Sequence, residues 1–212
     1  MPASAAAELP AEQLRLYWCP EAGAPEPRRR RVDRLLRGAL APLLGIPPAA
    51  VEFSREARGR PFLRVVGAPD FNLSDTHGGT LIALCRQGRV GVDLERLDRQ
   101  PPVVRLAERW FGAEEAQALA ALDPESARLA FLHLWTAKEA SCKATGTGIF
   151  GYLGQWRFAV APAQPQLTAL PDAAGAPARW WFQRLSPSPE HTAVIALRDA
   201  PALQLSAYRL LL

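Results

Sequence analysis

Apolar residues recur along this chain with two different periods. From Arg28 to Leu44 they return every three or four positions. Val32, Leu35, Leu36, Ala39, Leu40 and Leu43 make one helical stripe, and Gly45 stands where a left-handed residue ends a helix. Pro42 makes the last turn the weakest part of that helix. The same period predicts helices over 103–110, 113–122 and 125–145, the last opened by Asp123-Pro124 and stopped by Gly146. Strand-like runs are predicted over 14–18, 62–66, 71–74, 80–85 and 90–94, and again over 155–160, 179–185, 192–197 and 203–211. Turn residues at Gly59-Arg60-Pro61, Gly78-Gly79 and Gln87-Gly88 punctuate the first group, and the Ala/Pro-rich segment 161–178 interrupts the second. Residues 98–102 are polar, contain two prolines and read as a connection between halves. The expectation is an α+β chain of two halves, residues 1–100 and 101–212, rather than an alternating βαβ fold.

Composition narrows the function classes. No apolar run approaches the roughly 20 residues of a membrane span. The first 13 residues lack the basic start and apolar core of a secretory signal. Cys19, Cys85 and Cys142 are too scattered for a disulfide framework, so a cytoplasmic location is expected. Lys plus Arg number 25 against 21 for Asp plus Glu, a net charge of +4. That excess permits an anionic ligand or an acidic protein partner without arguing for nucleic acid. Only Lys138 and Lys143 are lysines; every other basic residue is arginine. Two lysines five positions apart suggest a need for a compact ammonium there, set against chance in an arginine-biased chain.

The candidate chemistry begins with Gly91-Val92-Asp93-Leu94-Glu95. In a strand, Gly91, Asp93 and Glu95 share one face, so two carboxylates project together and the glycine leaves room beside them. Such a pair suits Mg2+, which takes oxygen ligands and keeps several waters; a solvated strand face is the alternative. On the long helix, Glu139 and Lys143 continue the stripe of Leu129, Leu132 and Trp135. They either face a cleft or form an ordinary surface pair at i,i+4 spacing. Arg28 to Arg31 and Arg60 are candidate phosphate ligands, with a solvated basic face as the alternative for the run. Gly146-Thr147-Gly148 reads as helix termination rather than a phosphate loop. Neither a Walker loop, a nucleophile elbow nor a dinucleotide fingerprint occurs.

Gly59-Arg60-Pro61, Phe71-Asn72-Leu73-Ser74, Gly91 to Glu95, and Trp135-Thr136-Ala137-Lys138-Glu139-Ala140-Ser141-Cys142-Lys143 with Gly146 and Gly148 behind occur in an order that resembles a known family. It is the 4'-phosphopantetheinyl transferases of the surfactin-synthetase-activating (Sfp) type, and the likeness spans residues 28–158. The resemblance implies two pseudo-twofold-related α/β halves in a monomer, with the active site between them. It implies attack of a serine of an apo acyl or peptidyl carrier protein on the pantetheine-side phosphate of coenzyme A, giving holo carrier protein and adenosine 3',5'-bisphosphate. Asp93, Glu95 and Glu139 match the Mg2+ ligands, Glu139 the base (directly or through a water), and Lys143 the cation near the transferred phosphate. Arg60, Ser74 and an arginine of the run, Arg28 or Arg29, fall on the coenzyme A side.

Two departures matter: only about ten residues separate the first strand from the arginine run, where many relatives carry a basic helical segment, and the residues after Ser74 differ. Relatives carry a histidine directly after the serine, whereas this chain has Ser74-Asp75-Thr76-His77. In an extended segment His77 returns to the side of Asp75 and supplies the missing donor to the 3'-phosphate; otherwise His77 closes the Gly78-Gly79 turn and arginines act alone. Two other readings stand beside the transferase: a Mg2+-dependent nuclease, and a non-catalytic polyanion-binding module. Aromatic and basic residues are not interleaved on one strand, which weakens both.

Overall fold

The computed structural model describes residues 8–21, 26–200 and 204–209. The elements in order are β1 (Gln13–Pro20), α1 (Arg28–Leu44), β2 (Ser54–Arg55), β3 (Pro61–Phe62), β4 (Asp70–Thr76), β5 (Gly79–Cys85) and β6 (Arg89–Arg96). They continue with α2 (Val103–Trp110), α3 (Ala113–Ala120), α4 (Pro124–Thr145), β7 (Arg157–Phe158), β8 (Leu167–Ala169), β9 (Trp180–Ser188), β10 (His191–Arg198) and β11 (Gln204–Arg209). Helix α1 passes through Pro42 and ends at Gly45, whose φ of 65° is the left-handed cap that the sequence anticipates. The expected strand over 62–66 does not form beyond Phe62. Ala68 N–H closes a turn on the Val65 carbonyl, Gly67 takes a positive φ, and Val65 and Val66 stand exposed. The strand expected over 155–160 shrinks to two residues, and 203, 210 and 211 lie outside the described residues.

The architecture is α+β in four layers. One sheet has the order β11-β1-β5-β4, the other β6-β10-β9. Alternate residues of their facing surfaces, among them Leu14, Leu16, Leu81, Val92 and Ile195, make a shared inner core. The opposite faces carry helices. Leu35, Leu36 and Leu40 of α1 bury Tyr17, Ile82 and Leu84, while α4 covers Val194 and Ala196. Each half thus repeats one plan, helix outside and sheet inside. Hydrogen bonding nevertheless crosses the division at residue 100: β6 pairs with β10, and β11 returns to run parallel to β1.

Side chains rather than a backbone ladder join the sheets along β4 and β6. Asp70 Oδ2 accepts the Val90 N–H at 2.8 Å and Asn72 Oδ1 accepts the Val92 N–H at 2.9 Å. Ser74 Oγ donates to Asp93 Oδ1 at 3.0 Å, the third step at the same two-residue spacing. On the other side of β6, Gly91 meets α4. A Cβ there would sit 2.0 Å from the Ala140 carbonyl oxygen and 2.5 Å from the Ala144 nitrogen, both backbone atoms that cannot swing away. The glycine therefore makes room for the helix. Gly91→Ala is expected to push α4 off β6 and cost about 1–3 kcal/mol of stability by overpacking, read as a lower urea midpoint at unchanged slope.

Candidate functional site

Strand alternation sends Val90, Val92 and Leu94 into the inner core and leaves Asp93 and Glu95 on the α4 side of β6. Helix α4 brings Glu139 and Lys143 to the same place. All four line a cleft of about 1080 Å³, walled by α1 and β4 on its other side. Lys143 Nζ donates to Asp93 Oδ1 at 2.6 Å, to Ser74 Oγ at 3.0 Å and to the Val92 carbonyl at 3.1 Å. The lysine thus reaches across to β6 and β4, so the ordinary i,i+4 surface pair with Glu139 does not describe it.

The floor of the cleft is overloaded with negative charge. Burial, reinforced by the Asp93 charge, pushes the Glu95 carboxyl up to about 7 against the pull of Arg99. Burial and Asp93 likewise push Glu139 up to about 7, opposed by Lys143 and Arg99. Asp93 is 4% exposed, and its Oδ2 is buried without a hydrogen-bond partner. As the side chains stand, no three acidic, imidazole or thiol groups among the described residues converge to enclose an ion; Asp93 turns to Lys143 and Glu95 to Arg99. The donor set still fits a hard divalent cation: three carboxylates, all oxygen, one with a bare buried lone pair. Cys142 also lines the cleft, but burial pushes its thiol up to about 12, which removes it as a nucleophile.

The arginines divide into two kinds. Arg60 is buried and committed to the fold. Its Nη1 and Nη2 grip Asp70 at 2.9 and 2.7 Å, Nη2 also donates to the Val90 carbonyl, and Nε caps α4 through the Lys143 carbonyl. These bonds tie β4, β6 and α4 together, and Arg60 also lines the cleft, so its structural role stands beside the expected phosphate contact rather than against it. Arg28 and Arg29 line the cleft, and the Arg28 side chain is largely exposed. Asp75 anchors Arg28 together with Arg31. Only 3% exposed, it accepts from Arg28 Nε, from Arg31 Nη2 at 2.9 Å and from Thr80 Oγ1. It supplies the carboxylate that the first turn of α1 lacks.

His77 lies beyond β4 and faces Glu21 at 3.7 Å, the carboxylate that also pairs with Arg31. Strand β4 ends at Thr76, and His77 begins the turn into β5 with its side chain 84% exposed and outside the cleft lining. Its carbonyl faces His191 Nε2 at 2.9 Å. The period-2 placement runs past the end of the strand. Sequence reasoning missed Asp70, and it quoted Asn72 only as part of a motif; both precede Ser74 at two-residue spacing, the signal of their shared role in bonding to β6.

The second lysine works elsewhere. Lys138 is fully buried behind the cleft, with Nζ 2.7 Å from Glu115 Oε2, 3.2 Å from the Leu153 carbonyl, and bonded to the Trp156 carbonyl. Burial lowers its pKa and the Glu115 charge opposes that shift. Glu115 itself accepts from the Gly112 and Phe158 N–H groups, so this ion pair locks α3, α4 and β7 together.

Comparison with known proteins places these residues in context. Residues 89–197, which include Asp93, Glu95, Glu139 and Lys143, match the family model of the 4'-phosphopantetheinyl transferase superfamily. The chain is similar to a 4'-phosphopantetheinyl transferase of Nostoc, 37% identical over 146 residues, or 66% of this chain and 61% of that one. A 4'-phosphopantetheinyl transferase of Bacillus pumilus is 34% identical over 54% of this chain and 48% of its own. The solved holo-[acyl-carrier-protein] synthase of Thermotoga maritima is 22% identical with a TM-score of 0.43, over 54% of this chain and 65% of its own. The chain spans about half to three fifths of the length of the curated relatives named here.

Removing one partner of the buried pair should be far worse than removing both. Lys138→Met is expected to cost about 3–5 kcal/mol by stranding Glu115, whereas Lys138→Met combined with Glu115→Gln recovers most of it. Equal losses in chemical denaturation would show that the pair carries no coupling.

Proposed function

Because this chain belongs to the 4'-phosphopantetheinyl transferase superfamily, we propose that it transfers 4'-phosphopantetheine from coenzyme A to a serine hydroxyl of an apo acyl or peptidyl carrier protein. The observation that carries the reading is the meeting of Asp93, Glu95, Glu139 and Lys143 in one cleft large enough for a nucleotide-sized donor. The serine oxygen forms a bond to the pantetheine-side phosphorus, the bond to the bridging oxygen breaks, and adenosine 3',5'-bisphosphate leaves with the electron pair. Asp93, Glu95 and Glu139 would hold Mg2+, which supplies charge neutralisation for the pyrophosphate.

The chain's own residues do the rest. Glu139 takes the serine proton, directly or through a water; burial and the Asp93 charge raise its proton affinity in the metal-free cleft. Lys143 is held against Asp93 and Ser74 at the edge of the cleft, where a small rotation of its ammonium meets a transferring phosphate oxygen. Arg28 and Arg29 stand on the opposite wall, with Arg28 oriented by Asp75, to receive the nucleotide phosphates. A freestanding polyanion module fits less well, since Arg31, Arg34 and Arg37 are each paired to a nearby carboxylate. Among the described residues no helix is long and apolar enough to cross a membrane.

Incubation with coenzyme A, Mg2+ and a panel of apo carrier proteins, read by intact mass, tests the assignment: one carrier gains the phosphopantetheine mass. Asp93→Ala and Glu139→Ala are expected to abolish the gain, and Lys143→Ala to reduce turnover at least a hundredfold, on the order of one lost electrostatic contact to the transition state. Full activity in either acid mutant removes the acids from the mechanism. Asp75→Ala should lower the preference for coenzyme A over its 3'-dephospho form because Arg28 and Arg31 lose their anchor, while His77→Ala leaves the ratio of the two kcat/KM values unchanged. A drop in that ratio with His77→Ala would return the 3'-phosphate to the hairpin turn.

A further inference from the structure

Arg99 has no part in the function proposed above, yet it bonds Glu95, one of the carboxylates that line the cleft. It lies in the turn after β6, where Nη1 donates to Glu95 Oε1. Its guanidinium stands over the Trp135 ring, 5.6 Å from the centroid. Arg128 of α4 pins the turn by donating to the Leu97 and Arg99 carbonyls. The backbone is therefore fixed, while the side chain remains 38% exposed with open solvent beside it.

The two cations facing the carboxylates differ in how firmly they are held. Lys143 has three acceptors on β4 and β6, whereas Arg99 has an ionic contact at one carboxylate oxygen and a ring face. Asp93, Glu95 and Glu139 carry three negative charges when ionised, and Lys143 with Arg99 carry two positive ones. A divalent ion on the three acids with Lys143 retained makes the floor neutral. With Arg99 also retained, the floor is positive and two cations contend for the same Glu95 oxygen, a repulsion that burial strengthens. The buried, partnerless Asp93 Oδ2 independently points to a ligand at this spot.

We propose that Arg99 is an exchangeable counter-cation, which covers Glu95 while no divalent ion is bound and releases it when one binds. Arg99 then tunes metal affinity by competition. Because Arg99 rests on Trp135, its release also changes the surroundings of an indole. The inference rests on the metal reading of Asp93, Glu95 and Glu139.

The test uses the full chain without coenzyme A. Mn2+ affinity is measured from the electron paramagnetic resonance of the free ion, and tryptophan emission is followed separately on adding Mg2+. Arg99→Gln is expected to bind Mn2+ about fivefold more tightly, the worth of a partly exposed ion pair, and Arg99→Lys to stay near wild type. Wild-type emission shifts with Mg2+, and the shift is lost in Trp135→Phe. Equal or weaker Mn2+ binding by Arg99→Gln, with Asp93→Asn binding abolished, overturns this inference alone. So does a wild-type protein that binds Mn2+ without any Mg2+-dependent change in emission, a measurement that needs no variant to fold. If Asp93→Asn binds Mn2+ as wild type does, the metal reading falls and takes the inference with it.

Discussion

The contact between β6 and α4 at Gly91 is the constraint from which the cleft follows. The two backbones approach so closely that the strand has no room for a Cβ, and the helix meets it with Ala137, Ala140, Ser141 and Ala144, all buried and small. Carboxylates do not assemble by attraction. Asp93, Glu95 and Glu139 are brought together because the elements that carry them pack tightly one residue or one turn away. The cost is visible in the raised proton affinity of Glu95 and Glu139, and it is offset by apolar burial along the rest of α4. A site assembled by packing against electrostatic preference stores a demand for positive charge, met in part by Lys143 and Arg99.

The distribution of lysine and arginine is a record of local geometry. Lys143 and Lys138 each place one ammonium among three acceptors in a crowded space, and Lys138 also lies 4.6 Å from the centre of the Phe111 ring. Three donors radiating from one atom fit that arrangement, and a flat guanidinium would not. Where the partner is a carboxylate met edge-on, the chain uses arginine, as in the two-point grip of Arg60 on Asp70 and of Arg96 on Asp98. Two lysines in one helix are therefore not a pair with one task. One faces the cleft; the other holds the wall behind it.

Much of the fold was legible because its signals are local. The stripe of α1 and its Gly45 cap fix that helix at both ends, and the alternation of 90–94 fixes which side chains leave the inner core. The stripe through Trp135, Glu139 and Lys143 left a cleft and a surface pair both open, because the reach of Lys143 to Asp93 depends on a strand remote in sequence. What stayed hidden depends on partners remote in sequence. The structural ties of Arg60 stayed hidden because nothing nearby announces that Asp70, Val90 and Lys143 converge on it. Gly91 was read as space for an ion when it is space for a helix. Two placements of His77 stayed open in the sequence, in the strand or in the Gly78-Gly79 turn, and the end of β4 at Thr76 puts it in the turn.

Strand β4 shows how a single element can set both walls of the cleft. Its positions 70, 72 and 74 bond to β6 and define the side that carries Asp93. Its positions 71, 73 and 75 face α1: Phe71 and Leu73 pack into the helix, and Asp75 holds Arg28 and Arg31. The unexpected aspartate therefore sits at the point where strand and helix must be joined, not in open solution beside a ligand. Thr80, across the hairpin, bonds the same carboxylate and keeps it from rotating. Neutralised on three sides, Asp75 presents little bare charge to an incoming anion, while the arginine it fixes no longer has to lose its freedom when a phosphate arrives. A residue that looks repulsive in the sequence becomes, through its neighbours, a means of preorganising the cations around it.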